Sequence, residues 1–190
     1  MAKQRKTIIT CAITGAIHTP TMSDALPYTP EDIAAQAVAA AEAGAAILHL
    51  HARRAHDGGV SVNTDDFAAF LPRIKQATDA VVNISTGGSL TLSIADRVKP
   101  ATTFSPEMCS LNMGSMNFSF HPLVKRYDNW KFDWEKDYVE SSEGNIFRNT
   151  FRDIREAAET LAPHDIKFEH ECYDVGHLYN LKFCLDTGLF

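Results

Sequence analysis

The sequence predicts an α/β fold, a TIM (β/α)8 barrel of which this chain supplies about the first five strand–helix units. Three observations predict it. Apolar, β-rich runs alternate five times with helix-like stretches, which gives parallel strands joined by right-handed crossovers. The first run, Thr7–Thr14, is apolar on both faces, as in a strand covered on both sides. Residues able to do chemistry end the second, third, fourth and fifth runs. A barrel spreads its site over many strand ends, whereas an open doubly wound sheet gathers it at one switch point. Five strands cannot close a barrel, so residues 1–190 are expected to form one incomplete barrel domain, the N-terminal portion of a longer protein. The alternative is an open five-stranded α/β domain.

The elements follow in order. After strand 1, Thr29 caps a helix that opens with Pro30, Glu31 and Asp32 and stops at Gly44. Strand 2 is Ala45–His51. A helix begins near Thr64, with Phe67, Phe70, Leu71 and Ile74 at helical spacing and Pro72 breaking or kinking it. Strand 3 is 80–85, followed by a short helical stretch over 92–98 and strand 4 at about 107–112. Residues 118–142, with Trp130 and Trp134, are too long for an ordinary connection and are expected to lie over the barrel mouth or in a subunit contact. A helix with a stripe of Phe147, Phe151, Ile154, Ala158 and Leu161 comes next. Strand 5 is 167–173, and a last helix covers about 175–186.

Composition narrows the function. A net charge of −6 with scattered basic residues gives no nucleic-acid footprint. No apolar stretch reaches the roughly 18 residues of a membrane span. Four cysteines without a C-x-x-C pair suit a reduced, cytoplasmic protein.

The second strand ends in His49 and His51, spaced i, i+2. Side chains alternate along a strand, so both imidazoles leave the same face, where they can hold one metal ion. Glu169 and Glu171 share one face of strand 5. Two carboxylates on an otherwise buried strand need a metal, a cation or a hydrogen-bond network. The turn Ser85-Thr86-Gly87-Gly88-Ser89 lets backbone N–H groups approach a carboxylate or phosphate. Ser110 and Asn112 share a face of strand 4, for which structural hydrogen bonding is an equal reading.

Taken in order, the segments ITCAITGAIHTP, LPYTPEDIA, EAGAAILHLHAR, NISTGG, PEMCSLNMGSMNF and FEHECYD resemble those of the β-keto acid cleavage enzymes. The resemblance covers nearly the whole chain. It implies a barrel holding one divalent metal, usually Zn²⁺, that exchanges a β-keto acid with acetyl-CoA to give acetoacetate and a new acyl-CoA. It implies His49 and His51 as metal ligands, and Ser85, Ser110 and Glu171 as catalytic residues. Thr14, Ile17, Thr86, Gly87, Gly88, Asn112 and Glu169 are the implied substrate contacts. A homo-oligomer, by family precedent a tetramer, is also implied.

Three departures from that pattern bear on function. Ile17 stands where the amino-hexanoate enzyme has a glutamate that meets the substrate amine, so a neutral or apolar β-keto acid is expected. Arg54 stands where many relatives have an acid. The family's remaining carboxylate ligand and its Arg/Asp pair for proton abstraction lie further on than residue 190. Two alternatives stay open from the residues: a metal-dependent hydrolase of the amidohydrolase type, which also uses H-x-H, and an inactive truncated barrel.

Overall fold

The computed structural model describes residues 6–87 and 92–190. Five parallel strands form one sheet: β1 (Thr10–Ala12), β2 (Ile47–Leu50), β3 (Val81–Ile84), β4 (Met108–Asn112) and β5 (Lys167–Glu171). Their order across the sheet is their order in the chain. Every crossover therefore steps the same way, and no strand order reverses to make a switch point. That winding is the one a barrel uses, in place of the doubly wound alternative.

Among the described residues seven α-helices connect and cover the strands. They are α1 (Pro30–Glu42), α2 (Thr64–Ala68), α3 (Leu71–Ala77), α4 (Ile94–Phe104), α5 (Asp133–Ser141), α6 (Phe151–Leu161) and α7 (Val175–Asp186). The Thr29 hydroxyl accepts from Asp32 N at 3.2 Å, as a capping threonine should. The core lies on the helix side of the sheet in two parts. Leu48, Leu50, Val82 and Ile84 pack with Ile33, Phe67, Phe70 and Ile74. Cys109 and Leu111 pack with Val98, Ile154 and Leu161.

Several boundaries differ from those expected. The break after α2 falls at Ala69–Phe70, and Pro72 opens α3 at a position where its missing N–H costs nothing. Helix α4 runs on past Val98 through Pro100 to Phe104, because Val98 and Ala101 on its buried face are held in the core. Phe147 lies outside α6. It belongs to a two-residue ladder, Ile146–Phe147 against Met116–Asn117, and α6 starts after its N-cap Thr150, which forms a capping box with Asp153 in the first turn.

That ladder brackets a flap over residues 116–147, which holds a 3-10 turn (His121–Arg126) and α5. The flap is tied to the loop after β1. The buried Glu135 carboxylate accepts from Thr21 N (2.9 Å), Thr21 Oγ1 (3.0 Å) and Phe132 N (2.9 Å). Tyr138 Oη donates to Ala16 O at 3.0 Å. No helix among the described residues is long and apolar enough to cross a membrane.

Candidate active site

Alternation and register together build the site. Leu48 and Leu50 face the helices, so His49 leaves the opposite face of the sheet. Phe168 and Cys172 pack toward the helices, so Glu169 and Glu171 leave that same opposite face. The register pairs His49 with Asn83, Ser110 with Glu169, and Asn112 with Glu171. A polar row thus crosses the inner face of the sheet.

The row closes into a tight cluster. His49 Nδ1 lies 3.1 Å from Glu169 Oε2, and the fully buried Asn83 amide donates to the same oxygen. His49 Nε2 and His51 Nε2 are 3.2 Å apart. One ligand atom from each of His49, Glu169 and Glu171 lies within 4.8 Å of the other two. Among the described residues no lysine or arginine pairs with either carboxylate. The buried Asn83 Oδ1 and Asn112 Oδ1, beside the same cluster, have no hydrogen-bond partner. An imidazole, two carboxylates and two unsatisfied acceptors fit a divalent cation. The converging set is larger than the expected pair: His51 touches His49, and Glu169 and Glu171 join His49 in a group of three.

Electrostatics agree with that chemistry. Burial first, then the charges of His49 and Arg53, push the His51 imidazole down to about 3, which keeps it in the neutral form that ligates metals. Burial raises the Glu171 carboxyl, as does the nearby Glu169 charge. Burial and the Glu171 charge hold the Tyr173 phenol up at about 12, and its Oη donates to Glu171 Oε2 at 3.2 Å.

The cluster forms the floor of a cavity of about 840 Å³. Ile17, His49, His51, Ser85, Gly87, Asn112, Glu169 and Glu171 all line it. Three predicted contacts do not, because their hydroxyls serve the frame. Thr14 Oγ1 donates to Pro27 O (2.6 Å) and accepts from Arg53 Nε (2.7 Å). Thr86 Oγ1 donates to Ser110 O (2.7 Å), and Ser110 Oγ accepts from Thr86 N (3.2 Å), so both hold the turn from beneath. Ser110 Oγ reaches Ser85 Oγ at 3.4 Å, which steers a serine that faces the cavity. Gly88 lies outside the described residues.

Sequence reasoning missed three contributors. Asn83 becomes visible only through its pairing with His49. Arg53, 1% exposed, donates to the carbonyls of Gly58 (2.8 Å), Gly15 (2.9 Å) and His18 (2.9 Å) and so fixes the β1 loop. Arg97, also buried, donates to Thr86 O (2.8 Å) and Asn149 Oδ1 (2.8 Å) and joins the turn after β3 to the flap. The aromatic stretch expected over the barrel mouth or in a subunit contact supplies the roof, with Phe118, Phe120, Trp134, Tyr138 and Phe147 over the cavity.

The profile of the beta-keto acid cleavage enzyme family matches residues 6–190. The chain belongs to that family. It is 52% identical over 189 residues to a 3,5-dioxohexanoate:acetyl-CoA acetone transferase of Paraburkholderia graminis, covering 100% of this chain and 61% of the relative. It is 30% identical to a 3-dehydrocarnitine:acetyl-CoA trimethylamine transferase of Rhizobium meliloti, covering 100% and 62%. It is 33% identical to a 3-keto-5-aminohexanoate cleavage enzyme of Fusobacterium nucleatum, covering 94% and 57%. The chain therefore spans about three fifths of the length of these relatives. Among solved structures, ObcA in a binary complex with oxaloacetate superposes with a TM-score of 0.67 at 19% identity, covering 88% of this chain and 35% of that one. That likeness concerns the fold, a parallel half-barrel of five strands. The family assignment replaces the hydrolase alternative.

Proposed function

We propose that this protein is a metal-dependent β-keto acid cleavage enzyme. In balanced form, R–CO–CH2–COO⁻ and acetyl-CoA give R–CO–CoA and acetoacetate. The observation that carries this reading is the convergence of His49, Glu169 and Glu171 on the floor of a cavity large enough for a small acid and a thioester. The 52% identity to the Paraburkholderia enzyme supports 3,5-dioxohexanoate, or a similarly uncharged β-keto acid, as substrate. Ile17 in the wall supports the same choice, since an apolar side chain there gives a substrate ammonium no counter-charge.

His49, Glu169 and Glu171 would hold the ion, with His51 beside them, and zinc suits this nitrogen and oxygen set. When bound, a divalent ion supplies Lewis-acid charge for a β-keto oxygen. The chain's own residues do the rest. Ser85 Oγ and Asn112 face the cavity next to the cluster and orient the substrate carboxylate. Gly87 N donates to Ser85 Oγ at 3.2 Å and holds that hydroxyl in place. Asn83 fixes the Glu169 carboxylate and the His49 ring by contact with both. The aromatic roof excludes water, which would otherwise compete with the thiol for the acyl group.

Residues 1–190 are proposed to form one domain, part of a (β/α)8 barrel, that works in the cytoplasm as a homo-oligomer, a tetramer by family precedent. The four cysteines are free thiols, in keeping with that compartment. The test is a coupled assay on metal-stripped protein reconstituted with zinc, using 3,5-dioxohexanoate and acetyl-CoA. Acetoacetyl-CoA and acetoacetate should form in equal amounts, and only with the ion present. Release of free acid without acyl-CoA would overturn the reading.

A further inference from the structure

The cavity has a polar floor and an aromatic roof, and one protein cation reaches it from the side. Among the described residues Arg54 is the only lysine or arginine in the lining. Its guanidinium is fixed on three sides. Asp57 takes Nε (2.9 and 3.2 Å) and Nη2 (2.8 Å). The Gly59 backbone approaches so closely that a Cβ there would overlap Nη2. The Trp134 ring lies across the group, 5.9 Å from Cζ, and its own Nε1 donates to Asp57 O at 3.1 Å. Nη1 makes no hydrogen bond among the described residues. A planar fork held by three neighbours with one edge left over is a preorganised donor.

The acids in the lining complete the picture. They are Glu169 and Glu171, and both belong to the floor cluster. The half of the cavity beneath Trp134 and Tyr138 therefore offers a donor but no carboxylate. The Trp134 ring, the roof's best partner for an ammonium, is already taken by Arg54.

We propose that Arg54 is the specificity-determining contact for the far end of the substrate: Nη1 donates to an acceptor oxygen carried there, a ketone or a carboxylate, and the guanidinium turns away a distal ammonium. This rests on the β-keto acid reading above and adds the atoms that tell one such acid from another. Asp57 pairs with the arginine, so a ketone and a carboxylate are both accepted at Nη1, while an ammonium, which can only donate, meets a donor.

The experiment compares four six-carbon acids that differ at the far end: 3-oxohexanoate, 3,5-dioxohexanoate, 3-oxoadipate and 3-keto-5-aminohexanoate. Binding to zinc-reconstituted protein is read without CoA from Trp134 fluorescence, in a Trp130→Phe background. Turnover is read as kcat/KM with acetyl-CoA. The two oxygen-bearing acids should bind about tenfold or more tightly than 3-oxohexanoate, the scale of one charge-assisted hydrogen bond at a partly open site, and the amino acid should bind least. In Arg54→Met the ratio should fall to within about twofold, and Arg54→Lys should recover part of it. An Arg54→Met protein that keeps the preference, or that weakens all four acids equally, overturns the proposal. If the binding order holds and depends on Arg54 but no acyl-CoA forms, the cleavage reading falls and the Arg54 assignment stands. If turnover is present and its order ignores Arg54, the reverse is true.

Discussion

Replacing Arg53 with methionine should cost the protein more stability than any surface change, for a reason visible in its contacts. The side chain is 1% exposed, and no carboxylate pairs with it among the described residues. Burial pulls its pKa down to about 10, which still leaves it charged at neutral pH. The charge is met by the Thr14 hydroxyl (2.7 Å) and by carbonyls of Gly58 (2.8 Å), Gly15 (2.9 Å), His18 (2.9 Å) and Thr14 (3.3 Å). Methionine keeps most of the stem volume and removes the desolvated charge, but it leaves three short-bonded carbonyls without donors. One of these carbonyls is buried and two are part-buried, so about 1 kcal/mol each, the low end for an orphaned acceptor, gives a loss of about 3 kcal/mol. For a domain of this size that lowers Tm by about 6–12 °C. Differential scanning calorimetry of Arg53→Met and Arg53→Lys checks this, with lysine falling between the other two. The same variants should show a raised KM, because the loop that carries Ile17 loses its anchor. A methionine variant melting within about 2 °C of the parent would mean that water satisfies the carbonyls and that Arg53 is not what fixes the loop.

Three further outcomes are expected. Gly114→Ala would drive a Cβ into Cδ2 of the buried His177 and to 2.9 Å from Asn180 Nδ2, so urea unfolding should show a loss of about 1–3 kcal/mol; no change would mean the α7 start can shift freely. Asp153 is opposed by burial, yet hydrogen bonds from Thr150 and the Arg148 charge outweigh this and hold its carboxyl below the usual range. Its folded pKa is depressed, so its contribution is full above about pH 4 and fades as pH falls through the lower folded value. Asp153→Asn should therefore cost about 1 kcal/mol at pH 7, and the two melting curves should merge near pH 2, whereas a constant gap would locate the effect elsewhere. Glu169→Gln should weaken Zn²⁺ binding about tenfold or more in competition with a chromophoric chelator, and an unchanged Kd would remove Glu169 from the ligand set.

The sheet and the floor of the site are legible in the sequence because both follow from period-two patterning. Leu48 and Leu50 against His49, and Phe168 and Cys172 against Glu169, declare by residue type alone which side faces the helices. The partner of each polar group is not legible, since that depends on register and tertiary closure. Thr14, Thr86 and Ser110 have the residue types of substrate contacts, but their hydroxyls are spent on Pro27, Arg53 and one another. Asn83 reads as one more strand residue, and only its pairing sets it beside His49. How the roof is closed is hidden for a similar reason. The helical spacing through Phe147 extends α6 backward, while the chain uses Phe147 to close the flap with Met116.

The tie between Thr21 and Glu135 spans 114 residues, and that between His49 and Glu169 spans 120. A ribosome working at about 5–20 residues per second leaves His49 waiting about 6–24 s for its carboxylate. Through that interval the imidazole pair stands without the Glu169 and Glu171 carboxylates, although the residues of the roof are made before them. Assembly of the His49, Glu169 and Glu171 cluster is therefore a late event in the life of the nascent chain. The strands that precede β5 must stand on the packing of Ile33, Phe67, Phe70 and Ile74 against β2 and β3, and of Val98, Ile154 and Leu161 against β4.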